Sequence, residues 1–352
     1  MPLNQIISEI RNRQRIKPSA PDVPTAVWTG YDNHKGKRID TLTIIFKTSG
    51  CWWGNQGGCS MCGYVYDSSQ NPPSYEDLKS QLQKAMEKAS SLEEFMVKIY
   101  TSGSFLDENE VSTDVLKYIL QALNQDKRVL KVVAETRPEF VTDDTIVKCR
   151  NMLKDTEFEI AIGLETSSDI IRRDSINKGF KFSDFIKAAQ IAEENDVTTK
   201  AYLLLKPPFI TEGTAIDDME QSIDDIVPYA NNISINLCNV QKGTFVEWMW
   251  QKGQYRPPWL YSIVDVLKKS KQKHPETIIT SDPVGAGSKR GPHNCYKCDQ
   301  DIANAVRRFS ITQNINDLDF KGQTCGCFQL WKKVVKLDEY TYGAFIVDRM
   351  MQ

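Results

Sequence analysis

TLTIIFKTSGCWWGNQGGCSMC, residues 41–62, joins a β-branched apolar run to a glycine-rich loop carrying three cysteines. The run reads as a strand, so the cysteines sit at its carboxyl end. The same texture recurs outward from it, in EFMVKIYTS (94–102), RVLKVVAET (128–136), FEIAIGLET (158–166), TTKAYLLLK (198–206) and NISINLCNV (232–240). Segments of helical period separate them, among them SYEDLKSQLQKAMEKAS and KFSDFIKAAQIAEEN. Strand and helix alternating six times predict parallel βαβ units, either closed into a full or partial barrel or opened into a doubly wound sheet. Both forms place chemistry on loops at the carboxyl ends of strands. The polar strings KTSGCWWG, YTSGSFLD, AETRPE, GLETSSD, LLKPPF and NVQKGT all fall there.

The rest of the 352 residues frames this core. A basic stretch with Arg11, Arg13 and Arg15 precedes the breaker PSAPDVP, and reads either as a solvated helix face or as an arm for polyanions. After about Gln254 the texture changes to a lysine-rich helix, the strand TIITSD and cysteine-bearing loops. We therefore divide the chain into a basic arm at 1–27, a core at 28–254 and a small cysteine-rich extension at 255–352. A formal charge of -2 excludes indiscriminate polyanion binding but leaves room for local basic patches. No signal-peptide core and no run of about 18 apolar residues occurs, so a cytoplasmic chain is expected.

The nine cysteines cluster: 51, 59 and 62; then 295, 298, 325 and 327; with Cys149 and Cys238 alone. In a reducing compartment such clusters read as metal sites, and the two singletons as small buried hydrophobes. A closed structural site uses four protein ligands, whereas a reactive centre keeps one position open. Cys51, Cys59 and Cys62 supply three, which suits a [4Fe–4S] cube with one exposed iron. A zinc loop with a remote fourth ligand is the alternative on spacing alone. Cys295, Cys298, Cys325 and Cys327 make a complete set for tetrahedral zinc, with a second iron–sulfur cluster as the rival.

A first strand, a three-cysteine loop and six βα units resemble the radical S-adenosylmethionine (SAM) superfamily. The first gap holds seven residues rather than the commoner three, which is similar to the longer loops of the Elp3-like branch. The resemblance implies a partial (β/α)6 barrel, a [4Fe–4S] cluster on Cys51, Cys59 and Cys62, and SAM cleaved to a 5′-deoxyadenosyl radical. It further implies that Ser102, Gly103 and Ser104 meet the methionyl ammonium and that Glu135 binds ribose. Glu165 matches a polar residue at the end of the fourth strand, and Lys178 the partner of the SAM carboxylate, where arginine is commoner.

On the substrate side, Trp248, Trp250, Tyr255 and Trp259 interleave with Lys252 and Arg256, a pattern suited to stacking bases and meeting phosphates. LKKSKQK (267–273), SKR (288–290) and WKKVVK (331–336) add cationic patches or plain solvated faces. CWWGNQGGCSMCGY, YTSGSFLD, ETRPE, GLETSSD, NVQKGT, RPPWL and the GPHNC-x2-CD pattern together resemble the family of radical SAM subunits of archaeosine synthases, from about residue 28 onward. That resemblance implies an archaeal lineage, a tRNA substrate, a lysine-transferring partner subunit and an electron donor. The reaction it implies is scission of a C–N bond in the lysine adduct of 7-cyano-7-deazaguanine in the tRNA D-loop. The readings held against it are an Elp3-like radical SAM enzyme with another substrate, and a non-enzymatic metal-stapled RNA-binding module.

Overall fold

The computed structural model describes residues 2–14, 19–69, 71–319 and 325–337; Arg15 of the basic arm lies outside them. Eight strands form one sheet in chain order: β1 (Ala26–His34), β2 (Lys37–Ile45), β3 (Phe95–Tyr100), β4 (Val129–Thr136), β5 (Glu157–Glu165), β6 (Thr198–Leu205), β7 (Asn232–Leu237) and β8 (Ile278–Ser281). β2 to β8 run parallel, while β1 is an antiparallel hairpin partner of β2. Lys35 and Gly36 both take positive φ at its two-residue turn, the geometry that matches strand twist.

Alternation along the strands separates two faces. Leu42, Ile44, Val97, Ile99, Val132, Ala134, Ile160, Ile162, Leu203 and Ile235 point outward into one apolar core with the helices. Those helices begin where the sequence supplies acceptors. Ser74 and Asp77 close a capping box for Tyr75–Lys88, and Thr142 and Thr211 cap Asp143–Met152 and Glu212–Ile226. Burying each such aliphatic side chain contributes about 1.5–3 kcal/mol, so the outer face holds the sheet.

The inner face mixes buried ion pairs with a small apolar cluster of Ile39, Met96, Val133 and Ala161, and its contacts reveal the curl. Asp32 of β1 lies 3.4 Å from Lys200 of β6, five strands away. A flat sheet would separate those strands by about 24 Å. Tyr100 of β3 and Tyr202 of β6 likewise bring their hydroxyls within 2.5 Å. The expected α/β partial barrel is therefore the fold, and its sheet adds two strands to the six read in the core: β1, which the sequence did not reveal, and the TIITSD strand assigned to the extension. TIITSD, placed beyond the boundary at 254, pairs with β7 and continues the same sheet. The Asp299–Thr312 helix spans the open side: Asn33 of β1 donates to Ile311 O at 2.7 Å, and Ser310 bonds Ser281 of β8 in both directions.

The first helix, Leu3–Asn12, seats Ile7 in a second apolar cluster with Val240, Phe245, Val246 and Met249, beside the mouth of the barrel. Cys149 and Cys238 are buried, as small apolar residues would be. No helix among the described residues is long and apolar enough to cross a membrane.

Candidate active site

Past β2 the chain turns at Gly50, where φ is +91° and a side chain would overlap Ser68. Cys51 follows, then a single helical turn, Trp52–Asn55, which fills the long gap before Cys59. Gly57 and Gly58 take positive φ and bring the chain back, and Cys59 is buried. Three segments grip the loop. Ser60 donates from its amide to Ile176 O and from its hydroxyl to Ser175 O, both at 2.8 Å. Gly63 N donates to Gln241 in the loop after β7 at 2.5 Å. Arg11 donates to Gly54 O, Cys59 O and Cys62 O at 2.9, 3.0 and 3.1 Å.

Burial raises the Cys51 thiol and pushes Cys62 up to about 12, so an ionised set here requires a compensating cation. Among the described residues, only the other cysteine cluster gathers three or more ligand atoms within 4.8 Å of one another. Cys51, Cys59 and Cys62 offer three thiol donors, a set that suits a centre with one position left open.

The neighbouring strand ends converge on this loop. Gly103 lies so close that a Cβ would stand 2.6 Å from the Cys51 Cα. Ser102 is buried and its hydroxyl has no hydrogen-bond partner. Ser104 is differently employed: its amide donates to Glu110 at 2.6 Å and its hydroxyl accepts from Arg137 N at 3.1 Å. It braces the turn that presents Ser102 and Gly103. Burial pushes the Glu135 carboxyl up to about 7, against the lowering pull of Lys178. Glu165, at φ +71° on a β-bulge, takes the Lys178 ammonium at 2.6 Å above Gly163.

Trp52 and Trp53 pack edge to face beside the loop rather than offering a stacking pair. Trp53 donates to Asn177 O at 2.7 Å, and the Arg137 guanidinium lies over Trp52, Trp53 and Phe180. One Arg137 nitrogen, Nη2, is buried with no hydrogen-bond partner. An unpartnered hydroxyl, an unpartnered guanidinium nitrogen and a glycine-lined cradle beside the cysteines suit a polar cofactor that carries both donor and carboxylate groups. Glu110 and Gln241 escaped sequence reading: DENE looks like an ordinary solvated loop, and NVQKGT reads as a loop at the mouth in which nothing local marks Gln241. Arg11 carried the wrong signal: it faces the loop, neither solvent nor a polyanion.

The rim sorts the aromatic residues. Trp259 and Tyr255 are core, only 1% and 5% exposed, and Arg256 is buried against Trp259. Trp248 remains exposed at 38%, with Lys252 over its ring and Phe245 stacked beneath. Trp250 packs under Arg290, which also pairs with Glu247 at 2.6 Å. Asn236 is exposed on the inner face of β7.

Cys295, Cys298, Cys325 and Cys327 close into a tight quartet. Their sulfurs stand 3.6 Å (295–298), 3.7 Å (295–325), 3.6 Å (298–327) and 3.3 Å (325–327) apart. Sulfurs around one tetrahedral zinc are about 3.8 Å apart, whereas a four-iron cube holds its ligands much wider. Tyr261 adds its hydroxyl at 3.5 and 3.4 Å from Cys298 and Cys327.

The fold is thus a curled, mostly parallel α/β sheet, a partial barrel, that carries three cysteines just past its first parallel strand, β2. No family model matches the chain. A protein of Methanosarcina acetivorans named archaeosine synthase subunit beta is 56% identical over 348 residues, covering 99% of this chain and all of that one. Its namesake in Thermococcus kodakarensis is 40% identical over 312 residues, 88% of this chain and 96% of its own length. The chain belongs to the archaeosine synthase subunit beta family. Among solved structures, an archaeal Elp3 of Methanocaldococcus infernus aligns with a TM-score of 0.47 at 18% identity, over 62% of this chain and 55% of that one.

Proposed function

We propose that this chain is the radical SAM C–N lyase that releases archaeosine from the lysine adduct of 7-cyano-7-deazaguanine in tRNA. The observation that carries the reading is the three-cysteine loop at the barrel mouth, in a chain matching relatives named archaeosine synthase subunit beta along nearly its whole length. Cys51, Cys59 and Cys62 hold a [4Fe–4S] cluster. Ser102 and Gly103 face the SAM ammonium on a turn braced by Ser104, Glu135 takes the ribose, and Lys178, steadied by Glu165, takes the carboxylate. Bound there, cluster and SAM supply a hydrogen-abstracting radical. The protein's part is to seat the lysyl carbon in van der Waals contact with the reacting centre and to keep water away. Trp52, Trp53, Phe180 and Arg137 form the wall that does so.

Zinc fills the four-cysteine site and staples the extension. The substrate is tRNA, received at the rim around Trp248 and Lys252. A partner subunit first attaches lysine, and a separate donor provides the electron. The test supplies tRNA bearing the adduct to the reconstituted, reduced enzyme and follows nucleosides by mass spectrometry. Archaeosine should appear as the adduct declines. An adduct that persists while SAM is consumed would overturn the substrate and favour another Elp3-like chemistry.

A further inference from the structure

The last turn of the first helix carries Arg11, whose guanidinium makes three hydrogen bonds across the cysteine loop. Two of the acceptors are the carbonyls of Cys59 and Cys62, and the third, Gly54 O, belongs to the helical turn between Cys51 and Cys59. One planar fork therefore ties the helical turn inside the seven-residue gap to the two cysteines that follow it. The fit is built from both directions. A Cβ on Gly58 would overlap the guanidinium, so that glycine is the opening through which Arg11 enters. A Cβ on Gly57 would overlap Asn4 of the same helix, and Asn4 accepts from Asn177 at 2.8 Å while Asn177 also donates to Gly58 O at 2.8 Å. Ile7 anchors the helix at 1% exposure, so Arg11 projects from a fixed base.

We propose that Arg11 is the positioning residue of the cluster loop, and that its charge favours the reduced cluster. This rests on the reading of Cys51, Cys59 and Cys62 as cluster ligands. A cube held by three thiolates is anionic and gains a further negative charge on reduction. A half-buried guanidinium bonded to the carbonyls of two ligand residues stabilises the more negative state more strongly. The first helix is thereby part of the redox site, although it is remote from it in the chain.

The experiment compares wild-type, R11Q and R11K protein, each reconstituted anaerobically, by redox titration of the cluster signal and by the rate of iron loss to a chelator. R11Q should titrate at lower potential and lose iron faster. R11K should recover the potential while still losing iron faster than wild type, because an ammonium keeps the charge without the fork. Equal potentials in R11Q and wild type overturn the proposal, as does an R11K that titrates with R11Q. If R11Q takes up no cluster, an R11K that loads and titrates with wild type supports the proposal, and an R11K that stays empty overturns it. A wild-type protein that binds no cluster would instead defeat the reading beneath it, which separates the two failures.

Discussion

Lys178 places its ammonium 2.6 Å from the Glu165 carboxylate, directly over Gly163. A Cβ at 163 would stand 2.8 Å from that ammonium and 3.0 Å from the carboxylate, so the pair exists because the strand has no side chain there. Gly163→Ala should displace the pair while leaving the outer core untouched. SAM binding to the reconstituted protein, measured by calorimetry, should weaken about tenfold, with little change in melting temperature. Unaltered SAM affinity would remove Lys178 from the cofactor site.

Glu135 carries a pH signature. Its folded pKa, raised to about 7 by burial despite Lys178, exceeds the ordinary 4.5, with Glu165 and Glu110 also raising it. A raised carboxyl binds its proton more tightly in the folded state. The stability that Glu135 contributes is therefore fully present below pH 4.5 and is lost as pH climbs through about 7. Glu135→Gln abolishes that loss. Denaturant unfolding of cluster-free protein should show the variant gaining about 2 kcal/mol on wild type at pH 8 and much less at pH 5. A gain of equal size at both values would refute the assignment.

The two cysteine sites should separate by metal content. Cys298→Ala should cost the zinc and a large part of thermal stability. Cys59→Ala should keep the zinc and lose the iron, together with SAM cleavage. Elemental analysis of both variants decides it: about four extra irons at the C-terminal quartet, in place of zinc, would make that site a second cluster.

Asp32 holds the base of the curled sheet. Burial raises its carboxyl, yet Lys200 and Lys98, at 3.4 and 2.5 Å, hold it below the usual carboxylate range. Asp32→Ala strands two buried ammonium groups and should cost about 3–5 kcal/mol. Urea unfolding of the variant measures this, and a loss below 1 kcal/mol would mean that the lysines find other partners.

Trp248 is the rim aromatic left available to stack a base. Trp248→Ala should weaken tRNA binding by about 1–3 kcal/mol, read by filter retention at fixed salt, with the fold intact. Trp259→Ala should do the opposite, unfolding the protein through its core. Undiminished tRNA affinity in the first variant would move the docking face elsewhere.

Periodicity alone gave the parallel strands, because outward-facing residues such as Ile44, Val97 and Ile162 must be apolar to meet helices. It also gave the cysteine loop and its place at a strand end, since a parallel strand feeding a loop has one carboxyl mouth. The β1 hairpin was less legible, as Trp28, Tyr31 and Thr29 remain exposed and blur its alternation. The buried ion pairs of the inner face were not legible at all. Asp32 and Lys200 stand 168 positions apart, and nothing local distinguishes them from solvated charges.

The sequence by itself determined the strand–helix alternation, the two groups of cysteines and the order of the polar loops, all set by neighbours a few residues apart. Tertiary structure decided what those residues do. Only the curl brings Asp32 to Lys200, and only the docked first helix turns Arg11 onto the loop. Only the packed extension buries Trp259 and draws four sulfurs to single-ion spacing. The reason is common to all three: partners far apart in the chain meet through a packed core, and that meeting leaves no mark on local composition.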